Sequence, residues 1–489
     1  MQLAGRRRLF FALTATLAGV VATSHLTGLG TAPPGLFRDE ASFAYNGWTI
    51  AHYGTDQYGT HWPLFFRSFG DYKGPVGVYL EALISTFLPM EPWAIRLPNA
   101  IAGIALAFAS GWLAWRLTRS EVVFLVLAAE AAFEPWFFHL ARTMLEVDLL
   151  TPLCYVVVLG LLSAGGEQRL RRCVAAGLVL GAASFTAQPA RFFTPVFLLI
   201  LLFAFRRSVR GSRLIALIAP VAIATVVIVA AAARTTARLS DVSVFKGHGV
   251  FGGLWLMFID FVQYLSPWLL FLHGDGNLRH TTGVEGLFLV TAAVPVVVGV
   301  VAAFRRRSEP IATVALLAAV LAPAAASLAL GVNARRDVVS MPSFLVFLAY
   351  GWEALLPRLR QRTALRVLAP LLIAFAAIPF YVDYLVSYPD RAGHDFQAGG
   401  LMAITLAHQD AGGHAIYISQ YVSPDALVLF KPDPRGGDAF AAAGVHLIWK
   451  PGDADAAQPG DMIVLEAPDR PPPGSTLLFH MFAISLYRR

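Results

Sequence analysis

Apolar residues run along this chain in stretches of about twenty, separated by short polar breaks, and a run of that length is what a membrane-crossing helix needs. Such runs predict eleven helices, at residues 9–28, 93–115, 120–138, 145–163, 173–188, 192–205, 214–232, 286–304, 311–330, 341–356 and 364–385. The runs at 192–205 and 341–356 are short for a full crossing. Three long segments separate or follow them: 29–92, 233–285 and the tail 386–489. Inside the first two, amphipathic runs rich in aromatics, Ala41–Tyr53, Val76–Phe87 and Phe251–Trp255, read as helices lying in the membrane–water interface. The tail changes character, with more Gly, Pro and charge and strand-like runs at Ala415–Ser419, His446–Trp449, Met462–Leu465 and Leu477–Tyr487. The expected architecture is an all-α polytopic membrane protein over 1–385 with a small exposed α/β domain over 386–489.

Composition supports that reading. Of 489 residues, 57% are apolar and 14% charged, against about 25% charged in soluble domains, and mean hydropathy is +0.61. Two cysteines, Cys154 and Cys173, are too few for a disulfide framework. The net charge of +7 does not point to nucleic acid, because the arginines gather in short loops at the ends of apolar runs. Examples are Arg6–Arg8, Arg116 with Arg119, Arg169 with Arg171 and Arg172, Arg206 with Arg207, Arg210 and Arg213, and Arg305–Arg307. Such clusters mark the cytoplasmic side. With the N-terminus inside, they fall in every second loop and leave the three long segments outside. The first run is long for a signal peptide and lacks a clear small-x-small cleavage site, so it is expected to stay as an anchor.

The first outer segment carries the candidate chemistry. Asp39 and Glu40 open an amphipathic helix, where a carboxylate also serves as an N-terminal cap. His61-Trp62-Pro63 and Arg67–Pro75 follow, adding Asp71 and Lys73. Carboxylates, a lysine and aromatics at the bilayer surface suit chemistry on a lipid head group. No strand-to-helix Gly-x-Gly-x-x-Gly signature, the kind a nucleotide donor needs, is read in the sequence.

The runs RDEASFAYNGW, FFRSFGDYKGP and AIRLPNAIAG, continued by HLARTMLEVDLL, QPARFFTPV and HGDGNLRHTTGVEG, resemble the protein O-mannosyltransferase superfamily. These are membrane glycosyltransferases of the GT-C fold (family 39-like), and they include the lipid A aminoarabinose transferases. The resemblance implies inverting transfer of a sugar from a polyprenyl-phosphate donor to a protein, lipid or glycan hydroxyl. It places Asp39 as the general base, with Glu40 completing the catalytic pair. Lys73, Arg191 and Arg279 are then the cations for the leaving phosphate, although Gly74 departs from the family's usual residue before Pro75. For Arg191 and Arg279 the alternative is structural pairing, and Arg335-Arg336 at another outer helix end stay open between the two. Asp71, Asp275 and His280 are expected to support the site. Arg142 and Glu146, four apart, are expected on one helix face as an internal salt bridge, with Asp148 turned away. Glu134-Pro135-Trp136 is a candidate lining of the acceptor entrance. Some relatives bind a divalent metal, but no spacing here resembles a metal motif. None of His61, His273 and His280 is therefore assigned as a ligand, and no cofactor is expected. The implied place is the inner membrane, with the N-terminus cytoplasmic and the site and tail outside. The competing readings are a lipid-linked-sugar flippase and a non-catalytic scaffold for the tail. Polar residues collected at outer span ends, rather than mid-membrane in paired halves, favour the enzyme.

Overall fold

The apolar runs are helical in the computed structural model, which describes residues 2–68, 71–163, 168–231, 243–361, 363–436, 439–450 and 452–489. Helix α1 (Gln2–Leu26) leads into a loop and helix α2 (Arg38–Tyr53), a two-stranded hairpin, β1 (Phe66–Ser68) with β2 (Asp71–Lys73), and helices α3 (Pro75–Ser85) and α4 (Pro92–Ile95). The bundle continues through α5 (Leu97–Thr118), α6 (Glu121–Phe133), α7 (Pro135–Leu140), α8 (Leu150–Leu162), α9 (Leu170–Ala183), α10 (Gln188–Ala204) and α11 (Ser212–Ala230). After α12 (Gly249–Tyr264) it closes with α13 (Ala293–Arg305), α14 (Pro310–Ala326), α15 (Met341–Gln361) and α16 (Thr363–Val386).

A helix lies at each expected run, yet among the described residues length and apolarity suffice for a crossing in four: Gly5–Leu26, Leu97–Thr118, Ser212–Ala230 and Val338–Leu359. Others, such as α10 and α14, have 17 residues and reach about 26 Å, short of a core about 30 Å thick. Helix length thus leaves six of the remaining seven expected crossings without that support, while the seventh, α16, has 24 residues, some with side chains outside the described ones. Two runs deviate for local reasons. Proline at 135 ends α6 at Phe133 and starts α7, because proline lacks the N–H that would continue the helix. The run expected from 145 becomes helical only at Leu150, after an irregular stretch whose charged residues are claimed by tertiary partners.

Glycines let helices touch backbone to backbone, as small residues do in membrane bundles. A Cβ on Gly299 of α13 would lie 1.8 Å from the Phe347 carbonyl oxygen of α15, and one on Gly351 of α15 would lie 1.9 Å from that of Pro295.

Beyond α16 the chain forms a five-stranded sheet in the order β4-β3-β5-β7-β6. Its strands are β3 (Ile416–Ser419), β4 (Val445–Ile448), β5 (Met462–Glu466), β6 (Thr476–Met481) and β7 (Ile484–Arg488). Strand β3 pairs parallel with β4 and β5, and β7 pairs antiparallel with β5 and β6. The single run expected at 477–487 is two strands, because the chain folds back at Phe482, which has φ 52°. A separate core of Ile418, Met462, Val464 and Leu486 holds the sheet. The tail is docked rather than free: Leu427 and Val428 join the bundle core, and the Tyr45 hydroxyl of α2 donates to the Pro432 carbonyl at 2.7 Å.

Gly299→Val is expected to destabilise the bundle by roughly 1–3 kcal/mol through overpacking, read as a lower unfolding temperature in detergent. Gly19→Ala in the interior of α1, where a Cβ meets nothing within 4 Å, should keep or slightly raise that temperature, because Ala favours a helix over Gly.

Candidate active site

The site is built where the chain leaves α1. The last carbonyls of a helix lack intrahelical donors and favour a cation. Arg142 supplies it, donating to the carbonyls of Ser24 at 2.9 Å, His25 at 3.1 Å, Thr27 at 2.8 Å and Ala32 at 3.0 Å. This corrects the expected Arg142–Glu146 salt bridge. The stretch 141–149 is not helical, so spacing by four puts the two residues on no common face. Glu146 instead accepts the Gln188 N–H at 3.0 Å, and Arg335 approaches it to 4.0 Å.

Glu40 sits in the first turn of α2 with its side chain fully buried. Its Oε1 accepts from Arg96 Nε at 2.9 Å and the Met144 N–H at 2.9 Å. Its Oε2 accepts from Arg96 Nη2 at 2.9 Å and the Phe37 N–H at 3.0 Å. Arg96, also fully buried, spends its other donors on the carbonyls of Leu29, Pro33 and Gly35 at 2.7–3.1 Å. A carboxylate so engaged has no atom left for substrate. Glu40 is therefore a positioning residue rather than half of a catalytic pair, which corrects the expectation.

Adjacent residues on a helix point about 100° apart, so burying Glu40 turns Asp39 to the other side. There its carboxylate meets Lys73 Nζ at 3.2 Å and remains 15% exposed, against 0% for Glu40. Lys73 comes from β2, where it pairs with Phe66. Arg191, at the start of α10, donates twice to the carbonyl of the neighbouring Tyr72 at 3.2 Å and lies over the Phe65 ring. Arg191 thus grips the strand that presents Lys73. Gly74 fits the same crowding: a Cβ there would lie 2.8 Å from the Phe185 carbonyl oxygen and 3.4 Å from Arg191 Nη2. Asp71 is opposite Ser68 in the hairpin, and its side chain lies outside the described residues.

Arg279 completes the neighbourhood of Asp39. It covers the Phe37 ring at 4.6 Å and donates to Asn277 Oδ1 at 3.2 Å. Burial pulls its pKa below the usual guanidinium value, with Asp39 opposing. Asp275 holds this loop: it pairs with His280 Nδ1 at 2.8 Å and accepts the Ala334 N–H at 2.8 Å. Burial pushes the Asp275 pKa up, but the hydrogen bond and charge of His280 outweigh it and the net shift is down. Burial also lowers His280, against the pull of Asp275. The next residue after Ala334 is Arg335, bound to Asp148 at 3.0 and 3.3 Å and attracted by Asp39. Burial raises Asp148 to about 6, with Arg335 holding it down. Asp148, expected to turn away, is therefore part of the site.

The tail reaches the same helix. Gln397 Oε1 accepts the Arg38 N–H at 3.0 Å, while its Nε2 donates to the Tyr421 carbonyl and to Glu466 Oε2, both at 3.0 Å. The structure therefore brings Asp39, Lys73 and Arg279 together, with Arg335 beside them. Sequence reasoning missed the roles of Arg96, Asp148 and Gln397, and left that of Arg335 open. The available signal was an arginine and Asn99 opening an apolar helix in RLPNA, where buried polar groups demand partners.

Glu134 is buried and accepts the Leu289 N–H at 2.6 Å, which ties the α6–α7 break to the segment leading into α13. His61 is exposed, and His273 stacks on Trp268 with ring centroids 5.6 Å apart. Among the described residues no group of three or more His, Cys, Asp or Glu could hold a metal ion.

Removing one partner of a buried ion pair leaves an uncompensated charge. Arg96→Ala is therefore expected to destabilise the protein by ~3–5 kcal/mol. Thermal unfolding in detergent checks this, and an unchanged midpoint would contradict the assigned role.

No family model and no curated protein matches the chain. Solved structures do. ArnT from Cupriavidus metallidurans in the apo state is 14% identical with a TM-score of 0.60, covering 100% of this chain and 98% of its own. The same protein bound to undecaprenyl phosphate gives 14% and 0.55, over 99% and 98%. AglB, an oligosaccharyltransferase from Archaeoglobus fulgidus in complex with an inhibitory peptide and a dolichol-phosphate, gives 14% and 0.51, over 90% of this chain and 64% of that one. From the first helix to the last strand, this chain has the fold of these GT-C proteins.

Proposed function

We propose that the protein is an integral-membrane glycosyltransferase that moves a sugar from a polyprenyl-phosphate donor to an acceptor hydroxyl. The observation that carries this reading is one carboxylate, Asp39, held beside Lys73, Arg279 and Arg335. They lie at one end of an apolar bundle, in a fold whose solved neighbours include one bound to undecaprenyl phosphate.

In this reading the acceptor oxygen attacks the anomeric carbon while its proton passes to Asp39. The new C–O bond forms as the bond from the anomeric carbon to the phosphate oxygen breaks, with inversion. The electron pair leaves on the lipid phosphate. That phosphate is already a stable anion, so it needs fixed cations rather than an acid, and Lys73 and Arg279 provide them, with Arg335 behind. An incoming phosphate competes with Asp39 for Lys73. Donor binding then releases Asp39 from its ion pair and raises its basicity when the acceptor arrives. Arg191 acts through the Tyr72 carbonyl, keeping Lys73 in place.

The sugar is a hexose or pentose, and the acceptor is a protein, lipid or glycan hydroxyl. The reaction so written requires no cofactor. The positive-inside pattern of the arginine clusters supports eleven crossings of the inner membrane. It also supports a cytoplasmic N-terminus, with the Asp39 site and the tail outside. A transporter of lipid-linked sugars is the alternative, and it would use the same cations without needing a base.

Asp39→Asn keeps size and hydrogen bonding but removes basicity. Turnover from a panel of polyprenyl-phosphate sugars should fall by about 10²-fold or more, a typical loss for a general base. Undecaprenyl-phosphate binding should persist. Turnover within a few-fold of wild type would remove Asp39 as the base, and donor movement without transfer would favour the transporter.

A further inference from the structure

The opposite end of the bundle holds a second polar feature, which the transfer reaction does not use. An open cavity of 1060 Å³ lies among the ends of α5, α8 and α10 and the starts of α11 and α14. Arg191 marks the Asp39 end of α10, and Arg206 lies just past its other end. Fifteen residues at 1.5 Å each put them about 22 Å apart.

Six arginines line this cavity, Arg116, Arg206, Arg207, Arg210, Arg213 and Arg307, and they come from three separate stretches of chain. Glu309 is the one acidic residue among its described lining. Basic residues at span ends are ordinary, but spread around a rim they would face water singly. Here they converge on one space large enough for a head group, and the same lining carries the hydroxyls of Ser163, Ser208, Ser308 and Thr313. Guanidinium forks with hydroxyl donors are the chemistry that recognises phosphate. The cavity also has an apolar side. Phe203 in its wall is 54% exposed, and Phe304, just before the Arg305–Arg307 turn, is 55% exposed. Arg206 covers the Phe203 ring at 4.6 Å, and Arg307 donates to the Phe304 carbonyl at 3.4 Å. Arg206 therefore stands where an aromatic surface meets the charged space, as a molecule with a phosphate head and a hydrocarbon tail requires.

We propose that this cavity binds the phosphate head group of an anionic membrane lipid, with its acyl chains along Phe203 and Phe304. A basic pocket between helix ends is suited to such a head group. The site is separate from the donor site and does not depend on the transfer reaction.

Native mass spectrometry of the full chain, exchanged into phosphatidylglycerol or phosphatidylcholine, tests this. Wild type should retain phosphatidylglycerol and not phosphatidylcholine. In the triple variant R207Q/R210Q/R213Q, retention should fall about a hundredfold. Undecaprenyl-phosphate binding at the Asp39 end, measured on the same sample, should stay within two-fold and shows that the variant is folded. If the triple variant does not fold, R210Q alone, an exposed position, should still weaken phosphatidylglycerol retention several-fold. Equal retention of the two lipids, or no change in the variants, would overturn the proposal. Inorganic phosphate at millimolar concentration should compete with the lipid. Binding of inorganic phosphate with no lipid retained would overturn the lipid as ligand.

Discussion

The buried pair of Glu40 and Arg96 is the contact on which the rest of the site depends. Two ions removed from water are tolerated only when every donor and acceptor is used, and here they are. The carboxylate takes four donors, and the guanidinium ties the loop after α1 to the start of α5. Helix α2 can then sit in one rotation only. Because neighbouring helical residues diverge by about 100°, fixing Glu40 inward aims Asp39 at Lys73. The Asp-Glu pair divides its work accordingly: one carboxylate holds the helix and the other faces Lys73.

Around Asp39 the positive charges are arranged in tiers. Lys73 touches it, Arg279 and Arg335 lie within electrostatic reach, and Asp148 and Glu146 hold Arg335 from behind. The outer acids keep the guanidinium charge affordable in a buried setting. Each cation also rests on a rigid support: Lys73 on a hairpin gripped by Arg191, and Arg279 on a loop closed by Asp275 and His280. Gln397 joins the tail to the same helix through the Arg38 N–H. The sheet is in this way part of the mounting of the site, not an appendage to it.

The helices were legible from sequence because burial in lipid or protein leaves long apolar runs, and α2 and α3 followed from aromatic amphipathic spacing. Asp39, Lys73 and Arg279 were legible through motifs. What sequence could not show was the division between neighbours. Glu40 beside Asp39 and Arg191 beside the phosphate candidates differ from them only in their tertiary partners. Helical periodicity misled at Arg142 and Glu146. A stretch with several buried ions is shaped by those ions' distant partners rather than by spacing along the chain. Arg335 and Asp148 were likewise invisible as a pair, being 187 residues apart.

The central claim is that this cluster receives the phosphate of a lipid-linked donor. The most direct measurement is a cryo-electron microscopy structure of the purified protein with undecaprenyl phosphate. The account requires the phosphate to lie among Lys73, Arg279 and Arg335, at about 2.7–2.9 Å from Lys73 Nζ, with Asp39 released from Lys73. A phosphate seated away from these three residues, with Lys73 still bound to Asp39, would contradict it.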